Sequence, residues 1–280
     1  MTPSPQRQVV LFVILTFALS ALFDYPIFRP QPLADLGGIY LAAVMWCPGI
    51  AAIIVLLLSR SKIASLGLKI GNPPYYLLAL LLPIAYSLLP YSIVWLSGLG
   101  AVDHTFSPDL ASLLLIAFPT ACLRTLGEEI GWRGLLVPKL RTFCGIGTVY
   151  VVSGIIWAAW HYPAIFIGDY YSGDHALYAT VCFTVGIMGI AVVSAWLRLM
   201  SGSIWPVMVL HATHNVFVQR VLDPLTLDTG STEMIVGEFG AVYVVIGILV
   251  GVIFWRMSSR LPEPLPRSGS VAGQRRITIQ

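Results

Sequence analysis

Three short stretches of an otherwise apolar chain concentrate the side chains that can do chemistry: Gly127-Glu128-Glu129-Ile130-Gly131-Trp132-Arg133-Gly134, Trp157-Ala158-Ala159-Trp160-His161 and His211-Ala212-Thr213-His214-Asn215. On a helix, Glu129 and Arg133 are four apart and share a face, so a charge-assisted pair forms between them. Glu128 is turned about 100° away. One Arg pairs fully with one carboxylate, which leaves the second acid in need of a partner, and His161 and His211 are the candidates. His211 and Asn215 again share a face, setting an imidazole beside an amide.

A carboxylate beside an imidazole activates water, either as a general base or by holding a metal whose bound water has its pKa lowered toward about 7. An adjacent His and Asn can donate hydrogen bonds to a developing oxyanion. Together these groups describe hydrolysis of an amide bond. No Ser or Cys stands in a recognisable nucleophile context, and the His-Glu-x-x-His pair of soluble zinc proteases is absent, so water is the expected nucleophile.

The surroundings of these residues say where such chemistry would occur. The chain has 280 residues, 57% of them hydrophobic and 10% charged, against about 25% charged in an average soluble domain. Lipid is the solvent this composition fits. A bilayer core about 30 Å thick needs roughly 20 apolar residues per helix. Runs of that kind are expected near 9–23, 39–59, 75–99, 110–136, 147–167, 177–199, 203–221 and 236–256. A barrel strand would alternate in polarity, whereas Leu77-Leu78-Ala79-Leu80-Leu81-Leu82 is apolar on every side. The expected fold is an all-α membrane protein, a polytopic bundle of about eight transmembrane helices over residues 1–257, with kinks at Pro83, Pro90, Pro119, Pro163 and Pro206. Residues 258–280, with three late prolines and three late arginines, read as a disordered basic cytoplasmic tail.

Cytoplasmic loops carry an excess of Lys and Arg. With both termini inside, twelve of the sixteen fall on the cytoplasmic side: Arg7, Arg60, Lys62, Lys69, Lys139, Arg141, Arg198, Arg256, Arg260, Arg267, Arg275 and Arg276. Only Arg29 and Arg220 fall outside, and Arg124 and Arg133 lie within the fourth span. Asp223, Glu233 and Glu238 are among the acids expected to face outward. This gives an integral protein of the plasma (inner) membrane with both termini cytoplasmic. Counting about 1.5 Å per residue from the basic ends, Glu128, His161 and His211 reach similar depths, so the site is expected to open toward the cytoplasmic half.

Other features carry less. Arg7 followed by an apolar stretch ending in Ala18-Leu19-Ser20 is also the pattern of a cleavable signal peptide, which would leave seven spans. Cys47, Cys122, Cys144 and Cys182 are scattered and read as packing residues. His214 reads as a hydrogen-bonded packing residue, His104 and His175 as surface residues, and Arg124 as a further structural partner of Glu129. The +3 charge reflects juxtamembrane basic residues and gives no reason to expect nucleic-acid binding.

Glu128-Glu129-x-x-x-Arg133, an aromatic-x-x-x-His ending at His161, and His211-x-x-x-Asn215, in this order on three apolar segments, resemble the CPBP family of intramembrane proteases. That family includes CAAX prenyl endopeptidases of the Ras-converting type, bacteriocin-processing and self-immunity proteins, and Abi proteins. The motifs span about 110–220, and Trp157 stands where Phe is commoner. The resemblance implies an intramembrane endopeptidase acting on a membrane-associated peptide, lipidated or a leader. It implies that Glu128 and His161 activate the water, Glu129 and Arg133 hold the site, and His211 and Asn215 form the oxyanion hole. The family is usually called a metalloprotease, which would give a divalent metal such as zinc the ligands Glu128, His161 and His211; two carboxylates with two imidazoles fit a metal-free scheme as well. The expected partners are membrane lipids and a membrane-associated peptide or protein. Two other functions would use the same side chains: a non-catalytic immunity or scaffold protein, and a proton-coupled transporter. The transporter lacks a pair of short, inverted, Gly/Pro-broken segments.

Overall fold

Backbone groups in hydrocarbon must be satisfied within their own segment, so each long apolar run folds as a helix. The computed structural model describes residues 3–27, 37–168, 170–171, 173–230 and 232–263. Eight long helices lie among them: α1 Pro5–Ile27, α2 Gly37–Leu58, α3 Pro73–Ser97, α4 Leu110–Arg141, α5 Ile146–Phe166, α6 Ala176–Ser201, α7 Trp205–Phe217 and α8 Ala241–Arg256. A π turn, Val218–Leu222, prolongs α7, and a 3-10 turn, Met257–Arg260, prolongs α8. Two short strands, β1 Ala101–Val102 and β2 Thr226–Leu227, pair antiparallel and tie the connector before α4 to the one after α7. The chain is an all-α polytopic integral membrane protein.

Seven of these helices are long and apolar enough to cross a membrane. The eighth, α7, is shorter, at 13 residues, and carries His211, His214 and Asn215. The last apolar run, expected from about 236, becomes helical only at Ala241, after Gly237 takes a left-handed φ of 83°. Pro48, Pro83, Pro90 and Pro163 lie inside helices. Pro206 corrects its expectation of a kink: it begins α7, where its missing N–H has no intrahelical role. Arg29, Asp35, Asp169 and the basic tail from 264 onward lie outside the described residues.

α6 is buried on every side from Gly189 to Arg198 and forms the centre of the bundle. α4 meets α2 through small residues: a Cβ at Gly127 would stand 2.7 Å from the Met45 carbonyl oxygen, and one at Gly131 would stand 2.5 Å from Pro48 Cβ. Such contacts let two membrane helices approach closely where no hydrophobic force drives them together. The signal-like segment is packed as a full member of the bundle. Phe12 of α1 is fully buried edge-on to Trp132, with ring centroids 5.5 Å apart, and Ser20 Oγ accepts from Trp160 Nε1 at 2.8 Å.

Candidate active site

α4, α5 and α7 carry the three motifs. α4 is continuous but changes pitch twice, with π turns at Leu113–Ala117 and Ile130–Leu136. The second begins directly after Glu129, and the π turn of α7 begins three residues beyond Asn215. Such turns recur at functional sites because they re-aim side chains without ending the helix.

Glu129 and Arg133 form the expected pair, with Nη1 donating to Oε1 at 2.9 Å. Both are buried, and Glu129 is fully so. Arg133 also lies over the Trp157 ring, 3.8 Å from its centroid, which gives the cation a second partner in a dry site. His211 Nδ1–H donates to the same Glu129 Oε1 at 2.9 Å. This corrects the expectation that the histidines would partner the second acid. Glu128 Oε2 instead accepts from two indoles, Trp157 Nε1 at 2.9 Å and Trp132 Nε1 at 3.3 Å.

His161 Nδ1–H donates to the Trp157 carbonyl at 2.8 Å, which fixes the ring and leaves Nε2 with a lone pair. Among the described residues, Glu128 Oε1, His161 Nε2, His211 Nε2 and the Asn215 amide make no hydrogen bond. Glu128, His161, His211 and Asn215 all line one cavity of about 840 Å³. Glu129 and Arg133 stand behind it and touch no part of its wall. Most of that wall is apolar, with Leu41 and Val44 of α2 and Leu113 and Ile116 of α4 among its residues. Arg124 also corrects its expectation. It lines the cavity, and its Nη2 donates to the Gly38 carbonyl at 3.4 Å rather than to Glu129.

The cavity wall runs out to Phe106, Asp109, Tyr170, Gln219 and Arg220, at the helix ends opposite those bearing Arg60, Lys62, Arg141 and Arg260. Arg198, counted with the basic surface residues, is also turned inward. It is buried, donates Nε–H to the Arg133 carbonyl at 3.0 Å, and supports the π turn on which Arg133 rides.

A second polar cluster lies one turn along α7. His214 Nε2–H donates to Glu238 Oε1 at 2.9 Å. The hydroxyls of Tyr86 and Tyr243 reach His214 Nδ1 at 3.0 and 2.9 Å, and Tyr170 donates to Glu238 Oε2 at 2.7 Å. His214 is thus more than a packing residue, and Glu238, expected to face outward, is nine-tenths buried. The only signal in the sequence was a histidine three residues from a motif histidine. Its carboxylate lies in a connector with no helical period to give it away.

The ligand set that the family's metalloprotease label implies does not fit this geometry. Among the described residues, no three His, Cys, Asp or Glu side chains are grouped closely enough to hold a metal ion. Spacing is what decides this, since a metal-bound imidazole also donates its second ring N–H to a carboxylate or carbonyl, as His211 does to Glu129 and His161 to Trp157.

Fold and site therefore define a class: a helical membrane protein with a carboxylate, two imidazoles and an amide on the floor of an apolar chamber. Residues 110–217 match the family model described as type II CAAX prenyl endopeptidase Rce1-like. The curated CAAX prenyl protease 2 of Methanococcus maripaludis is 25% identical over 184 residues, 58% of this chain. The chain spans just under two thirds of that relative's length, 65%.

Proposed function

We propose that this protein is an intramembrane endopeptidase that cuts a membrane-associated peptide with an activated water. The observation that carries this reading is the arrangement of unpartnered atoms on one cavity floor: a carboxylate oxygen of Glu128, the Nε2 atoms of His161 and His211, and the Asn215 amide. In this reading Glu128 and His161 take the proton from water as its oxygen attacks the carbonyl carbon. His211 and Asn215 donate to the oxyanion, and Glu129 holds the His211 ring at the angle this needs. The two indoles on Glu128 fix its carboxylate and leave one oxygen for the water. The proton then passes to the amine as the C–N bond breaks.

The apolar chamber suits a substrate that brings its own hydrocarbon, whether lipid-modified or a hydrophobic leader. The names of the family and of its archaeal relative support the lipid-modified class. With the basic helix ends in the cytoplasm, as charge asymmetry in membrane loops requires, both termini are cytoplasmic and the chamber opens on the opposite side. Substrate then approaches from the extracytoplasmic leaflet.

Glu128→Gln tests the reading because Gln keeps an oxygen for both indoles. Cleavage of a fluorogenic peptide anchored in liposomes should fall by about 10²- to 10⁴-fold, with the unfolding temperature in detergent unchanged. An undiminished rate would remove Glu128 from the chemistry. A cellular phenotype that survives this substitution would point to the immunity or scaffold role instead.

A further inference from the structure

His161, Tyr170, His211 and Asn215 line two cavities of unequal size. One is the large apolar chamber of about 840 Å³. The other holds about 50 Å³, and its wall adds Ser194 of α6 with His214 and Glu238 of the second cluster. One water needs about 10–15 Å³ of such space, so roughly three fit, provided that each finds two to four polar partners. The wall supplies them. Ser194 is 1% exposed, and its hydroxyl makes no hydrogen bond among the described residues; the Asn215 amide is likewise free on the same wall. Tyr170, Tyr243, His214 and Glu238 add polar groups to a wall that Trp157, Phe183, Ile187 and Ile190 otherwise make apolar.

Hydrolysis consumes one water for each bond cut: its hydroxyl goes to the carbonyl carbon and its other proton to the amine nitrogen. A peptide carrying hydrocarbon fills the large chamber and closes that side to water. We propose that the small chamber is a water-binding site that supplies the hydrolytic water from behind the two histidines, with His214 and Glu238 as positioning residues of its wall. The proposal rests on the hydrolytic reading above. It explains why a buried polar cluster outside the three motifs faces the same histidines, where a purely structural cluster would have no reason to border them.

Filling the chamber from α6, a helix that carries none of the motifs, tests this. The full-length protein in detergent is compared as parent, Ser194→Leu, which fills the space, and Ile190→Val, which alters an apolar part of the same wall and keeps it open. Radiolytic hydroxyl labelling read by mass spectrometry reports water beside Tyr243, which is 4% exposed and lines only the small chamber. Rates on the anchored fluorogenic peptide report turnover. In Ser194→Leu we expect kcat to fall about tenfold with KM unchanged and the Tyr243 label to vanish, while Ile190→Val keeps both. An unlabelled Tyr243 in the parent, or a Ser194→Leu protein with parental kcat, overturns the proposal. If Ser194→Leu does not fold, Ile187→Phe narrows the same chamber from another position. A parent that cuts no peptide but loses its Tyr243 label on filling would sink the hydrolytic reading and leave the water site standing.

Discussion

Two histidines three residues apart on α7 each meet a buried carboxylate at 2.9 Å, and the two pairs are otherwise unlike. His211 shares Glu129 with Arg133, so its acid is neutralised by a fixed cation from its own helix. His214 meets Glu238 from a connector 24 residues away, with tyrosine hydroxyls around it. The first pair is built for charge at an unchanging position. The second holds polarity in place with uncharged donors, which fits a wall for water better than a seat for an oxyanion.

This difference makes Glu129→Gln and Glu238→Gln unequal. Gln at 129 strands Arg133 in a dry interior, and removing one partner of a buried ion pair costs about 3–5 kcal/mol. Gln at 238 still accepts from Tyr170 and leaves no guanidinium behind, so a loss of about 1–3 kcal/mol is expected. Thermal unfolding in one detergent measures both, and equal losses would erase the distinction between the pairs.

The weaker neighbour of the second pair gives a smaller, pH-dependent effect. Asp223, just past the π turn of α7, accepts from the Tyr91 hydroxyl. Burial, with the charge of Glu238 adding to it, pushes its carboxyl up from 3.8 to about 6. Because the folded value is the higher one, the native state binds more protons between these values. Its stabilising contribution is complete below about pH 4 and is lost as pH rises through 6, about 3 kcal/mol in all. Asp223→Asn should flatten this part of the profile of unfolding temperature against pH, and a profile unchanged by the substitution would remove Asp223 as its source. The smallest effect concerns metal. Since no three His, Cys, Asp or Glu side chains among the described residues are grouped closely enough to hold a metal ion, dialysis against a strong chelator should leave cleavage by the parent unchanged, and a loss restored by zinc would show that a metal takes part.

The same contrast explains what could be read from the sequence. Spans and motif pairs obey a period, so Glu129 with Arg133 and the three motif helices were legible from spacing alone. Glu238 and Tyr170 come from connectors, where no period operates. Arg198 looked like an interfacial cation because charge counting registers type and not direction. Glu128 was paired with the wrong group because two tryptophans reached it first, and an indole N–H gives no sign in sequence of what it will meet.

The π turn at Ile130–Leu136 sets the phase of everything beyond it. Each residue added to or removed from a helix rotates the remainder of that helix by about 100°. The acids of α4 and the residues that seat it, Val137 and Leu140, therefore belong to two registers joined at one wide turn. Deleting a single residue of it beyond Arg133, such as Leu135, would leave every motif intact in sequence while swinging the seated end of the helix off its footing. The spacing between motif and anchor is thus as much a part of this protein's specification as the motif itself.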